Sequence, residues 1–119
     1  SDGQPGEDIR QVISGYILEK GWEEVFIVGA VGSIIDSAYN APIDNSIPMN
    51  LATNECPRAA ELLSFNGEVM KRERMDEIWQ RSIRINQPLF VHIHASCATG
   101  DGKVYGGGLV KGKAFRGIR

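Results

Sequence analysis

Residues 89–112, LFVHIHASCATGDGKVYGGGLVKG, constrain the fold of this 119-residue chain more than any other stretch. Two apolar-rich runs flank an acid-and-glycine turn, which is the pattern of a β-hairpin. Along LFVHIHASC, Val91, Ile93, Ala95 and Cys97 take one phase of a two-residue repeat, while His92, His94 and Ser96 take the other. The repeat puts two imidazoles on one face. With Gly100, Asp101 and Gly102 as the loop, His94 falls opposite Gly108 and Ile93 opposite Leu109, a register in which the apolar faces coincide.

The length suits one domain over residues 1–119, with room for a real core. Thirteen basic and fifteen acidic residues give a net charge of −2, so the chain lacks the bulk charge of a protein that coats nucleic acid. Beyond Asp101, however, no acid occurs, and Lys103, Lys111, Lys113, Arg116 and Arg119 follow. They read either as an ordinary solvated end or as contacts for phosphates. Cys56 and Cys97 lack the CxxC spacing of a thiolate site, so free thiols in a reducing cytoplasm are expected. No segment reaches the roughly 18 uninterrupted apolar residues of a membrane span, and no membrane partner is expected.

Upstream, residues 6–20 predict a helix, with Ile9, Val12, Ile13, Tyr16 and Ile17 along one face. Glu7 and Asp8 suit its first turn, and Gly21 its left-handed cap. VFIVGAVGSIIDSAY then reads as two strands meeting at a glycine bend. Its GAVG lacks the third glycine and the following helix of a dinucleotide-binding loop. Residues 41–58, with three prolines, read as a long irregular connection. ELLSFNGEVMK predicts a further strand, with Asn66-Gly67 as a turn or bulge. Residues 74–82 place Met75, Ile78, Trp79 and Ser82 at helical spacing, predicting a short amphipathic helix. The order argues for an α+β fold with a largely antiparallel sheet, one main helix and a short second one.

PGEDIRQVI, EKGWEEVFIVGAVGSIIDSAY, ELLSFNGEV and PLFVHIHASCATGDGKVYGGGLVKG, taken in this order, resemble the plants-and-prokaryotes conserved (PPC) domain. The resemblance covers most of the chain. It implies an α+β domain that assembles as a homotrimer with sheets packed at the subunit contacts, and a DNA-binding or regulatory role. Three departures stand out. The family has a strand before the PGED segment, where four residues precede Pro5 here, and a closing strand for which residues 114–119 leave little room, so the chain is expected to lack the first and last strands. Prokaryotic members read GGHL where this chain has Gly107-Gly108-Leu109, so a third histidine of theirs is Gly108 here.

His92 and His94 have Cα atoms roughly 6.6 Å apart in a strand, a separation at which both can hold one metal ion. Zinc is the candidate cofactor, but it needs at least three protein ligands, and these are the two histidines of the chain. The alternative places them in a cleft or subunit contact with Ser96, Gly106, Gly107 and Gly108, the glycines admitting a ligand, a neighbouring subunit or a bulge. Ser96 shares the histidine face without an orienting acid, and Cys97 lies in the opposite phase, so catalysis ranks below binding. Three functions remain open: a trimeric DNA-binding or regulatory module contacting phosphates through Lys103, Lys111, Lys113, Arg116 and Arg119; a trimer binding a small ligand or protein without DNA; and a metal-dependent hydrolase using His92 and His94.

Overall fold

The computed structural model of the chain describes residues 3–75 and 89–119. Helix α1 spans Ile9–Lys20 and is followed by strands β1 (Glu24–Ile27), β2 (Gly32–Pro42), β3 (Leu51–Glu55) and β4 (Ala60–Lys71). A 3-10 turn at Arg72–Arg74 precedes the undescribed stretch, after which come β5 (Leu89–Ala98) and β6 (Val104–Ile118). The helix starts later than its acids suggest: Asp8 is the cap, with extended backbone, and its carboxylate accepts the Gln11 N–H at 3.0 Å. That satisfies one of the donors a helix start leaves unpaired. Gly21, at φ 69°, closes the other end in the left-handed conformation and donates to the Ile17 and Leu18 carbonyls.

All strand pairings are antiparallel, in the order β1-β4-β5-β6-β2-β3. Ser33 and Ile34 of β2 also pair with Glu61 and Ala60 of β4, so β4, β5, β6 and β2 close on themselves, with β1 and β3 outside. Inside lie Ile34, Phe65, Val69, Ile93, Cys97 and Leu109, covered by Ile9 and Ile17 of the helix. Burying each large aliphatic side chain contributes about 1.5–3 kcal/mol, which is what holds the helix to the sheet. Where β5 and β6 stop pairing, at His94 and Gly108, Arg10 links them by donating to Leu109 O at 2.9 Å and Val91 O at 3.1 Å. Burial lowers the Arg10 pKa from its ordinary value, and the Asp8 carboxylate opposes that shift. Among the described residues, no helix is long and apolar enough to cross a membrane.

The predicted hairpin register is observed, with His94 opposite Gly108 and Thr99 N–H donating to Lys103 O at 3.0 Å across the loop. Gly32 opens a strand, not a helix, so GAVG is the expected bend. Other expectations need correcting. Residues 41–58 are not an irregular connection throughout: β3 pairs with residues 38–42 of β2, and Ile43 N–H donates to Asn50 O at 2.9 Å. As an outer strand β3 is exposed along nearly its whole length, so it carries no alternation to reveal it. Asn66 and Gly67 form neither turn nor bulge. They run straight through β4, and the register shift lies between Leu62 and Ser64. Residues 114–119 continue β6, which runs for 15 residues and pairs with β2 as far as Ile118. The helix predicted at 74–82 gives way at its start to the 3-10 turn, and residues 76–88 lie outside the described residues.

The glycine run of β6 is explained within the chain. Gly107 has φ 139°, and a Cβ there would stand 2.5 Å from the Asn40 carbonyl oxygen of β2. On the other side, a Cβ at Gly106 would stand 2.9 Å from the Ser96 Cβ of β5. We expect Gly107→Ala to lower unfolding stability in urea by about 1–3 kcal/mol. Gly100→Ala, in the open hairpin loop with nothing within 4 Å of the added carbon, should stay within about 0.5 kcal/mol of the parent. Equal losses would separate the glycine requirement from backbone crowding.

Candidate functional site

Strand β5 alternates strictly, burying Leu89, Val91, Ile93, Ala95 and Cys97 and presenting His92 and His94 to solvent. The two imidazole centroids are 4.7 Å apart with planes at 66°, and the Phe90 ring lies 5.6 Å from His92. Glu68 faces His92 from β4, with its Oε1 3.9 Å from His92 Nδ1. His94 lies between Asn66 of β4 and Gly108 of β6. Phe26 of β1 sits beside Glu68 in the same cross-strand row. Phe26, Val28, Asn66, Glu68, His92 and His94 line a shallow depression on the outside of the sheet.

This face does not complete a metal site. Among the described residues no three His, Cys, Asp or Glu side chains are grouped to hold an ion, whereas zinc requires at least three protein ligands. Opposite His94, a Cβ at Gly108 would meet Asn40 Oδ1, the end of a side chain that would have to turn aside to admit one. Nor does the site assemble a nucleophile. Ser96 Oγ is 2.7 Å from Ser64 Oγ, and Cys97 is fully buried with the Tyr39 hydroxyl donating to its sulfur at 3.2 Å. Burial raises the Cys97 thiol pKa above its ordinary value, away from the reactive thiolate. Burial likewise pushes the Tyr39 phenol far up, so both stay protonated. Both cysteines are free, as expected.

The sequence singled out five cations, and the structure does not gather them. Lys103 lies in the hairpin loop, at the opposite end of β6 from Arg119. Lys111 Nζ is 3.5 Å from Glu55 Oε1, Lys113 Nζ is 3.9 Å from Asp36 Oδ2, and the Arg116 guanidinium lies over the Phe115 ring. Lys111, Lys113 and Arg116 lie along β6, and the two lysines are partly neutralised by acids from β3 and β2. Sequence reasoning missed those acids, because pairing across strands is not visible along the chain. It also missed exposed Phe26 and Val28, whose apolar character reads as core.

The family model of the Plants and Prokaryotes Conserved (PCC) domain matches residues 4–117. No curated protein matches the chain. Among solved structures, a plant- and prokaryote-conserved (PPC) protein from Pyrococcus horikoshii is 21% identical with a TM-score of 0.75, covering 99% of this chain and 71% of its own. A metal-containing protein from Archaeoglobus fulgidus is 24% identical with a TM-score of 0.75, over 99% and 72%. A candidate DNA-binding protein from Ralstonia eutropha is 11% identical with a TM-score of 0.72, over 98% and 69%. At these identities the three structures share the fold.

If Asn40 and the missing third imidazole are what keep this face from holding zinc, both can be changed together. Calorimetric titration of an Asn40→Ala/Gly108→His variant should show zinc binding at least about tenfold tighter than that of the parent. Equal affinities would mean that the position opposite His94 does not limit metal binding.

Proposed function

The chain belongs to the Plants and Prokaryotes Conserved domain family, and from that premise we propose that it works as a homotrimeric binding module in a DNA-associated regulatory role. The observation that carries this reading is the outer sheet face. Phe26 is 67% exposed and Val28 95% exposed, beside the two imidazoles and Gly67 of β4. Large apolar side chains grouped on the face of a sheet mark a surface that another protein covers. In this reading the neighbouring copy covers it, and His92, His94, Ser96 and Gly106 to Gly108 belong to the subunit contact or its cleft.

The family membership and the candidate DNA-binding relative support the DNA-associated part of the reading. A trimer would carry three copies of these cations. A phosphate contact of this kind is sequence-independent and weakens steeply as salt rises. Lys103, Arg116 and Arg119 are the members without a carboxylate partner among the salt bridges described, so they would contribute most. A metal shared between subunits would take His92 and His94 from one chain and its further ligands from another.

Light scattering should give the mass of three 13.0 kDa chains, and a Phe26→Asp/Val28→Asp variant should give the mass of one with its circular dichroism unchanged. A strictly monomeric parent would sink the assembly. In a gel-shift series at low salt, the parent should retard duplex DNA, and Lys103→Ala/Arg116→Ala should weaken the complex by several fold. A trimer that leaves DNA unshifted at the lowest salt would leave the binding module and remove DNA from it.

A further inference from the structure

Helix α1 does not close on the sheet along its whole length. Ile9 and Ile17 are buried, whereas Val12, Ile13 and Tyr16 between them stay partly exposed although they belong to the same apolar face. These three side chains line a cavity of about 210 Å³, together with Val25 and Ile27 of β1 and Phe65 of β4. Strand β1 serves both sides of the sheet by its alternation: Phe26 turns to the histidine face and Val25 to this cavity. The cavity is therefore the unfilled part of the helix–sheet layer, where a chain of this size would ordinarily place core.

Its size and lining select an apolar guest. Packed interiors hold few voids larger than a water molecule, and an apolar cavity of about 150 Å³ stays dry and takes up benzene. The larger cavity here has room for an apolar body of about eight carbons. Its mouth selects a charge. Trp22 and Arg119 are exposed members of the lining, and the Arg119 backbone is fixed there by two hydrogen bonds with Val31, at 2.7 and 2.8 Å. Lys20 adds a second cation, its ammonium standing 5.5 Å from the centroid of the Tyr16 ring. Glu23 and Glu24, the acids that open the way to β1, are engaged by Arg74 at 3.0 and 4.0 Å. Among the described residues neither Arg119 nor Lys20 has a carboxylate partner, so the mouth is left positive over an apolar interior.

We propose that this cavity binds an amphiphilic monocarboxylate, with its apolar body between α1 and β1 and its carboxylate on the Arg119 guanidinium. Arginine suits that role because its planar fork can give a carboxylate two parallel hydrogen bonds. The mostly apolar lining with few polar groups at one end is the usual arrangement of a small-molecule site. It lies on the helix side of the sheet, apart from the histidine face, and depends neither on assembly nor on DNA.

NMR titration of the intact protein with octanoate tests the assignment, with octan-1-ol and butyrate as the probes that lack the charge and the apolar body. Octanoate should give saturable shifts at the methyl groups of Val12, Ile13, Val25 and Ile27, with an affinity at least about tenfold above either control. Arg119→Gln should lower the octanoate affinity by about tenfold and leave that of octan-1-ol unchanged. Ile13→Phe, which puts a ring into the cavity, should remove the binding of both while its circular dichroism stays that of the parent. Octan-1-ol binding as tightly as octanoate would overturn the proposal in favour of an apolar cavity without charge selection, and butyrate binding as tightly would reduce it to a surface anion contact. Unsaturable shifts, or an octanoate affinity that Arg119→Gln leaves unchanged, would overturn it outright.

Discussion

Strand β6 can lie between β5 and β2 because its middle carries no side chains. Gly106 meets β5 at a distance where a Cβ would stand 2.9 Å from Ser96 Cβ, and Gly107 meets β2 where a Cβ would stand 2.5 Å from Asn40 O. The ring of β4, β5, β6 and β2 closes through these approaches together with the β2–β4 pairs. Closure divides every strand into an inner row for the core and an outer row for solvent or partners. Glycine in a strand carries an entropic penalty and packs nothing, so three in succession are tolerable where the geometry demands them.

From this constraint follow the two polar regions of the molecule, which differ in physical character. The histidine face is outward, with imidazole and phenyl rings stepping along β5 and apolar side chains beside them. It has the mixture of aromatic and flat surface that suits contact with another protein. The region at the β2 bulge carries both signs of charge, with Lys111 beside Glu55 and Lys113 beside Asp36. Lys111 and Lys113 belong to the second region by their partners, although along the chain they look like part of a basic tail.

The hairpin was legible in the sequence because its phase is unbroken: each second residue from Leu89 to Cys97 is apolar and buried, and a one-residue slip would turn them all outward. The helix was legible through Ile9, Ile17 and the Gly21 cap for the same kind of local reason. β3 was not, because an outer strand exposed on both faces has no alternation and is defined by its hydrogen bonds to β2. The length of β6 was hidden too. Lys111, Lys113 and Arg116 read as solvated charge, while Gly112, Ala114 and Ile118 between and beyond them pack inward. Asn66-Gly67 misled in the other direction, because its glycine answers to the backbone of His92 and Ile93 and not to a turn.

What the sequence by itself determined was local: the strand phase that sets two histidines on one face, the hairpin register, the capped helix and the glycine bend. Each depends on neighbours within a few residues, where period and cap chemistry act. Tertiary structure decided what those residues meet. Asn40 Oδ1 stands where a side chain at Gly108 would enter, Glu55 and Asp36 pair with cations more than fifty positions away, and Ser37 is buried against Tyr39 and Cys97. These are consequences of ring closure, which brings distant strands to within a side chain's length.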